Sequence, residues 1–229
     1  MNRLTVVSFF RNSQGAQIQR FMDQVQVLRN VSIYPVRVVA VYGDCTDDTA
    51  NDLLRQAEQR DLALTLVESN HGGPVFGSTE SLDRLKALSQ IGNAGLDAIT
   101  DEDAFVFYVE SDLIWDASTV LHLLEQVKRQ QTPTIVAPLI FAGKHFYDVF
   151  CFRKNGARFG PFYPYHSELD HSRNAVTEVD SVGSAFVMPA EIARQCRIRN
   201  ENVLLGFCED VWAHGFKIVV DPSVQVDHP

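Results

Sequence analysis

Four short runs constrain this chain most: LTVVSFF at Leu4–Phe10, VRVVAVY at Val36–Tyr42, LALTLV at Leu62–Val67 and FVFYV at Phe105–Val109. A strand with one wet face alternates apolar and polar residues. These runs are apolar at nearly every position and rich in sheet-forming types, which predicts strands buried on both faces. Between the first two, Ile18, Phe21, Met22, Val25, Val27 and Leu28 recur close to helical spacing, so Ala16 to Leu28 is expected to be a helix. Further helices are expected after Thr46 or Asp47 through Leu53 and Leu54, from about Ser81 to Ile99, and through Leu124 behind a cap at Asp116 or Ser118. Strands and helices in this alternation predict right-handed βαβ units on a parallel sheet.

Open sheets of this kind bind ligands beyond the carboxyl ends of their strands, so the run ends carry the functional information. The fourth run stops on Glu110-Ser111-Asp112. If the backbone stays extended there, alternation turns both carboxylates to one side, where they would suit a hard divalent cation carrying substrate phosphates. The second run exits through Gly43-Asp44, the glycine permitting a sharp turn. The third opens into a loop from Ser69 to Thr79 containing Asn70-His71-Gly72-Gly73. Beyond Ile135–Leu139 helical periodicity gives way to aromatics from Phe141 to Tyr165, which predicts antiparallel strands and loops. Val182–Met188 reads as a strand, Ala190–Arg194 as a short helix, and Leu204–His214 as a helix closed by Gly215. Two last strand segments follow at Lys217–Val220 and from Val224 to His228.

Several function classes drop out. No GxGxxG follows the first strand, no GxxxxGK[ST] occurs, and there is no GxSxG elbow. A net charge of −9 gives no bulk attraction to nucleic acid or anionic membrane, leaving only a local basic cluster at Arg153, Lys154 and Arg158. No apolar run approaches the roughly 20 residues that span a bilayer. The first residues are polar too soon for a signal peptide. Cys45, Cys151, Cys196 and Cys208 are widely spaced without a CxxC pair, which points to buried free thiols in a reducing, cytoplasmic setting. A length of 229 residues suits one domain.

Acids at strand ends, taken in order, resemble the glycosyltransferases of the GT-A fold. VYGDCTDDT looks like the motif whose acid contacts the nucleotide base, and Glu110-Ser111-Asp112 looks like the family's DxD with Glu in first place. RLKALSQIGNAGL from Arg84 to Leu96 is similar to the donor-side helix pattern, with Gly92 where a second arginine is expected. GFKIVVDPSVQVDH from Gly215 to His228 looks like the closing segment of family 2 enzymes, whose final histidine reaches metal or diphosphate. HFYDVFCFRKNGARF and CEDVWAHGFKIVVDPSV also resemble segments of the fungal capsule-associated α-mannosyltransferases.

The resemblance implies an α/β GT-A domain over residues 1–229. It has a Rossmann-like, mostly parallel sheet flanked by helices and a smaller antiparallel acceptor-side region. Residues 1–115 would form the nucleotide-sugar half and 116–229 the acceptor half. The implied activity is Mn²⁺- or Mg²⁺-dependent transfer of a hexosyl group from a UDP- or GDP-linked sugar to a glycan, protein or modified nucleobase. The narrower likeness implies a retaining transfer, with GDP-mannose as donor. Asp112 is the first metal ligand, Glu110 serves metal or ribose, and His228 closes the site, while Asp44, Asn70 and Arg84 line the donor. For the late acid of the reaction the order is Asp210, then Glu209 and Glu201. Two rivals stay open: a sugar-phosphate nucleotidyltransferase, for which Arg11-Asn-Ser-Gln-Gly15 is a poor phosphate loop, and a non-catalytic nucleotide- or carbohydrate-binding module with a decayed site.

Overall fold

The computed structural model describes residues 2–77, 81–172, 175–199 and 202–229. The four apolar runs become β1 (Arg3–Phe10), β2 (Val36–Tyr42), β3 (Ala63–Glu68) and β4 (Asp103–Val109), parallel and ordered 3-2-1-4. Helices α1 (Ala16–Val31), α2 (Thr49–Gln59), α3 (Leu82–Asp97) and α4 (Ala117–Arg129) connect or follow them. Burial of Ile18, Phe21, Met22, Val25 and Leu28 in α1 realises the helical stripe.

The second half supplies β5 (Thr134–Ala142), β6 (His145–Phe146), β7 (Arg153–Lys154), β8 (Ala157–Arg158), β9 (Thr177–Glu178), β10 (Ala185–Pro189), α5 (Ala190–Gln195), α6 (Leu204–Ala213) and β11 (Lys217–His228). β10 enters antiparallel between β4 and β5, β11 lies parallel to β5, and β6 and β9 add short antiparallel edges. The result is a nine-stranded, mostly parallel sheet flanked by helices, with β7–β8 as a separate two-stranded sheet. Among the described residues no helix is long and apolar enough to cross a membrane. All four cysteines are free thiols.

Two local departures from the sequence expectation shape the site. β4 ends at Val109, and Ser111-Asp112 form a turn instead of continuing the strand. Strand alternation therefore does not align Glu110 with Asp112. The turn is held instead by the Leu113 N–H on the Glu110 carbonyl (3.3 Å), the Glu110 N–H on Ser184 O (2.9 Å), and Arg20 on the Asp112 carbonyl (2.8 Å).

The second departure is that the two predicted C-terminal segments are one strand, β11, with a register slip between Asp221 and Gln225. Buried Asp221 causes it. Its carboxylate accepts from the Ser223 N–H (2.9 Å), the Ser223 hydroxyl (2.6 Å) and His122 (2.8 Å), beside a proline that has no N–H to give. Past the slip, Asp227 exchanges backbone hydrogen bonds with Ile114 (2.7 and 2.9 Å), which returns the end of β11 to the turn after β4.

At the helix starts, Asp116 occupies the N-cap of α4 without a side-chain capping bond. Asp47 accepts from the Thr49 N–H (3.1 Å) at α2.

Candidate functional site

Two adjoining cavities open beyond the carboxyl ends of the strands. One, about 330 Å³, is lined by Phe9, Phe10, Gly43, His71, Phe76, Tyr108 and Asp112; the other, about 340 Å³, by Tyr147, Asp148, Phe150, Cys151 and Ser184. Arg84, Leu88, Glu110, Val203 and Leu204 belong to both walls. Glu110 thus stands at the junction, where β4 has just ended.

The junction is a crowd of acids. Burial, reinforced by the negative charges of Asp148 and Asp112, pushes the Glu110 carboxyl up to about 8, against the opposing pull of a Ser184 hydrogen bond and the Arg84 charge. Burial also raises Asp148, and it pushes Tyr147 up to about 12, with the charges of Glu110, Asp112 and Asp148 adding to it. Asp112 Oδ1 and Asp148 Oδ2 are buried with no hydrogen-bond partner. A buried carboxylate oxygen without a donor is costly unless a cation meets it.

His228, the last residue of β11, brings Nε2 to 3.4 Å from Asp112 Oδ2 and stacks on Tyr147 with centroids 3.9 Å apart. The fold therefore brings His228 from the end of β11 to Asp112, while Glu110 lines the same cavity as Asp112 and Asp148 the adjoining one. Among the described residues these side chains do not bring three ligand atoms within 4.8 Å of one another. The donor set of hard oxygens with one imidazole suits a divalent cation such as Mn²⁺ or Mg²⁺.

One wall of the first cavity is built by a loop held from two directions. Asp44, at φ 49°, accepts from the N–H groups of His71 (3.0 Å) and Gly72 (3.1 Å), and its own N–H donates to Asn70 Oδ1 (2.6 Å). The His71 N–H bond, helped by that of Gly72 and by the charges of His71 and Arg11, holds the Asp44 carboxyl below its ordinary range. Arg11 donates to the carbonyls of Gly73 and Pro74, both at 3.0 Å. Gly43 is required by space, because a Cβ there would strike the Ser69 carbonyl. Asn70 thus contacts Asp44 and Glu68 rather than facing the cavity, and Arg84 sits in the first turn of α3 on the shared wall.

The late acids lie elsewhere. Asp210 accepts from the Arg197 N–H and from Arg199 Nη2, both at 2.9 Å, and these bonds hold its carboxyl low against the burial that would raise it. Glu209 is exposed, 3.7 Å from Arg199. Neither lines either cavity; α6 reaches them through Leu204 at its start. Glu201 lies outside the described residues. Cys196, Asp210 and His214 bring ligand-type atoms within 4.8 Å of one another, yet Asp210 is already bonded by the two arginines and His214 Nδ1 donates to the Asp210 carbonyl (2.8 Å).

Sequence reasoning missed Asp148, Tyr147 and Ser184. The one available signal was an acid alone among aromatics in HFYDVFCF, where Phe146, Asp148, Cys151 and Phe152 are buried while His145 and Tyr147 stay exposed. Arg11 was read as part of a weak phosphate loop, but the structure ties it to the 71–74 loop.

No protein-family model and no curated protein matches the chain. Solved structures do. The mannosyltransferase PcManGT from Pyrobaculum calidifontis, in complex with GDP-Man and Mn²⁺, aligns over 98% of this chain and 56% of its own at 19% identity and TM-score 0.63. TarS 1–349 of S. aureus aligns over 98% and 60%, at 13% identity and TM-score 0.61. Glucosyl-3-phosphoglycerate synthase from Mycobacterium tuberculosis, in complex with Mn²⁺, UDP and phosphoglyceric acid, aligns over 100% and 71%, at 13% identity and TM-score 0.59. The chain thus spans less than two thirds of the first two structures it matches.

Proposed function

The chain has the GT-A fold of these glycosyltransferases, and from that premise we propose that it moves a hexosyl group from a UDP- or GDP-linked sugar to an acceptor with the help of a divalent cation. The observation that carries the reading is Glu110 in the shared wall of two cavities, beside Asp112 with a buried, unpartnered Oδ1 and His228 in reach. A donor in the first cavity and an acceptor in the second would meet at that wall.

In this reading Asp112, Glu110 and His228 hold the ion, with Asp148 supplying negative potential behind Glu110. A bound divalent ion would offset the charge that develops on a departing nucleoside diphosphate. Arg84 supports the same phosphates from the first turn of α3, where the helix dipole adds favourable potential. Asp44 acts by shaping the His71–Gly72 loop that closes the nucleotide cavity, and Asn70 supports Asp44. Residues 1–115 form the donor half and 116–229 the acceptor half. Arg11 is held on the carbonyls of Gly73 and Pro74, so it is not poised as the phosphate-binding arginine of a nucleotidyltransferase.

The test is thermal stability with GDP or UDP, with Mn²⁺ or Mg²⁺ and again with EDTA, followed by nucleoside diphosphate release from a panel of nucleotide sugars. Metal-dependent stabilisation with slow diphosphate release supports the proposal. Equal stabilisation in EDTA removes the metal assignment, and pyrophosphate exchange without sugar transfer replaces the reaction class.

A further inference from the structure

Helix α1 presents one polar face to the turn that follows β4. Gln17, Arg20 and Gln24 recur at spacings of three and four residues, which puts them on one side of the helix. Gln17 Nε2 donates to Ser111 Oγ (2.9 Å), Arg20 Nη2 to the Asp112 carbonyl (2.8 Å) and Gln24 Nε2 to the Trp115 carbonyl (2.8 Å). The helix that makes these bonds is fixed at its own start. The Gly15 N–H donates to Asp52 Oδ2 (2.7 Å) and the Ser13 N–H to Thr49 Oγ1 (2.8 Å), which ties the start of α1 to α2.

The turn needs support from outside. Its own closing bond, from the Leu113 N–H to the Glu110 carbonyl, is long at 3.3 Å. The bonds of Glu110 to Ser184 and of Ile114 to Asp227 hold the two flanks but not Asp112 between them. The Asp112 carboxylate is not locked by its own bonds either: Oδ1 is buried without a hydrogen-bond partner, and Oδ2 has His228 Nε2 at 3.4 Å. The direction of this carboxylate is therefore set through its backbone, and Arg20 grips that backbone.

Arg20 has no other partner that accounts for it. Among the described residues the Asp112 carbonyl is its one hydrogen-bond acceptor, no carboxylate pairs with it, and its Nε is buried without a partner. A half-buried cation with a single acceptor gains little for folding alone. It lines neither of the two cavities at the strand ends, so it meets neither donor nor acceptor there. Resting on the metal role proposed above for Asp112, we infer that Arg20 is a positioning residue: it holds the turn after β4 and so aims the Asp112 carboxylate at the ion.

The experiment titrates the full chain with Mn²⁺, alone and with GDP or UDP, and follows the free ion by electron paramagnetic resonance. Arg20→Met removes the donor and keeps the stem, and should weaken Mn²⁺ binding about tenfold. Arg20→Lys, which keeps a charged donor, should recover part of it. The control is Arg29→Met. Arg29 stands in the last turn of the same helix and donates to the Arg60 carbonyl (3.0 Å), so this variant loses a bond of the same kind away from the turn. It should lower the melting temperature without changing Mn²⁺ affinity. A metal-free measurement separates this inference from the metal assignment. In EDTA, amide hydrogen exchange at Leu113 and Ile114 should quicken about tenfold in Arg20→Met and stay at the wild-type rate in Arg29→Met. If the wild-type protein binds no Mn²⁺, the metal role of Asp112 fails, and local exchange still decides whether Arg20 holds the turn. Equal Mn²⁺ affinity in Arg20→Met and wild type, equal loss in Arg20→Met and Arg29→Met, or unchanged exchange at Leu113 and Ile114 overturns the inference.

Discussion

The two ends of β4 carry buried carboxylates in opposite states. At its start, Asp103 accepts from Arg37 Nη2 (2.6 Å), Thr5 Oγ1 (2.7 Å), the Thr100 N–H (2.8 Å) and Arg3 Nε (3.1 Å). Burial would raise this carboxyl, but the hydrogen bonds from Arg37, Thr100 and Thr5 hold it down to about 2. Just past its end, Glu110 is pushed up to about 8 by burial and by two neighbouring acids. One strand thus begins on a charge that its partners stabilise and ends at a carboxyl whose charge its surroundings disfavour. The difference separates architecture from site: a folded chain completes its structural charges internally and leaves incomplete those that a ligand must complete.

Substitution at the two ends should break the symmetry most visibly. Asp103→Asn leaves Arg37 buried with its main partner gone, and should cost about 3–5 kcal/mol, or roughly 10 °C in melting temperature. Glu110→Gln keeps the shape and removes a charge repelled by its neighbours, so the metal-free protein should be as stable as wild type or more so. Urea unfolding of both variants in EDTA checks the pair. A loss at Glu110 as large as that at Asp103 would mean the cluster is structural after all.

Ligand linkage is the next effect in size. A nucleoside diphosphate held with Mn²⁺ at about 100 times its dissociation constant should add about 2.7 kcal/mol. Asp112→Asn should abolish that metal-dependent part, and Asp103→Asn should keep it on a lower baseline. Melting curves with and without EDTA separate the two outcomes.

The two ends should also answer pH with opposite sign. Asp103 has its folded value lowered from 3.8 to about 2, so its contribution of about 2 kcal/mol is present above 3.8 and lost as pH falls through 2. Glu110 has its folded value raised from 4.5 to about 8, so its contribution is full below 4.5 and is lost as pH rises through 8. Denaturant titrations in EDTA from pH 2 to pH 9 should show both arms. Asp103→Asn should flatten the acid arm only, and Glu110→Gln the alkaline arm only.

How much of this was legible in the sequence follows the same division. Runs buried on both faces announce themselves by composition alone, and β2 matches its predicted run residue for residue. Glu110 and Asp112 stood out in the sequence as acids at a strand end, and His228 through the resemblance of the Gly215–His228 segment; their roles remain the proposal made above. Asp148 did not stand out, because its importance comes from burial against Glu110, a contact set by how β5, β6 and the aromatic segment fold back. The joining of the last two segments into one slipped strand was also hidden, since it depends on His122 and Ser223 bonding Asp221. Asn155-Gly156, by contrast, is a turn signal that the sequence did contain.

The smallest expected effect concerns the acid that the sequence ranked first for chemistry. Leu204 opens α6 at the cavity wall, and Asp210 lies six residues further along. At about 1.5 Å of rise per residue, that is about 9 Å down the helix axis. Its carboxylate instead accepts from the Arg197 N–H and from Arg199, joining α6 to the segment after α5. Removing one hydrogen-bonded acceptor of this kind should cost about 1 kcal/mol of stability. Asp210→Ala should therefore unfold slightly earlier while donor affinity and turnover stay near wild type, and Glu209→Ala, exposed beside Arg199, should change even less. Turnover and donor affinity must be measured separately, because only lost turnover with donor binding intact identifies an acid at the reacting atoms. That result at Asp210 would place the chemistry on α6 and demote the junction at Glu110 to donor binding alone.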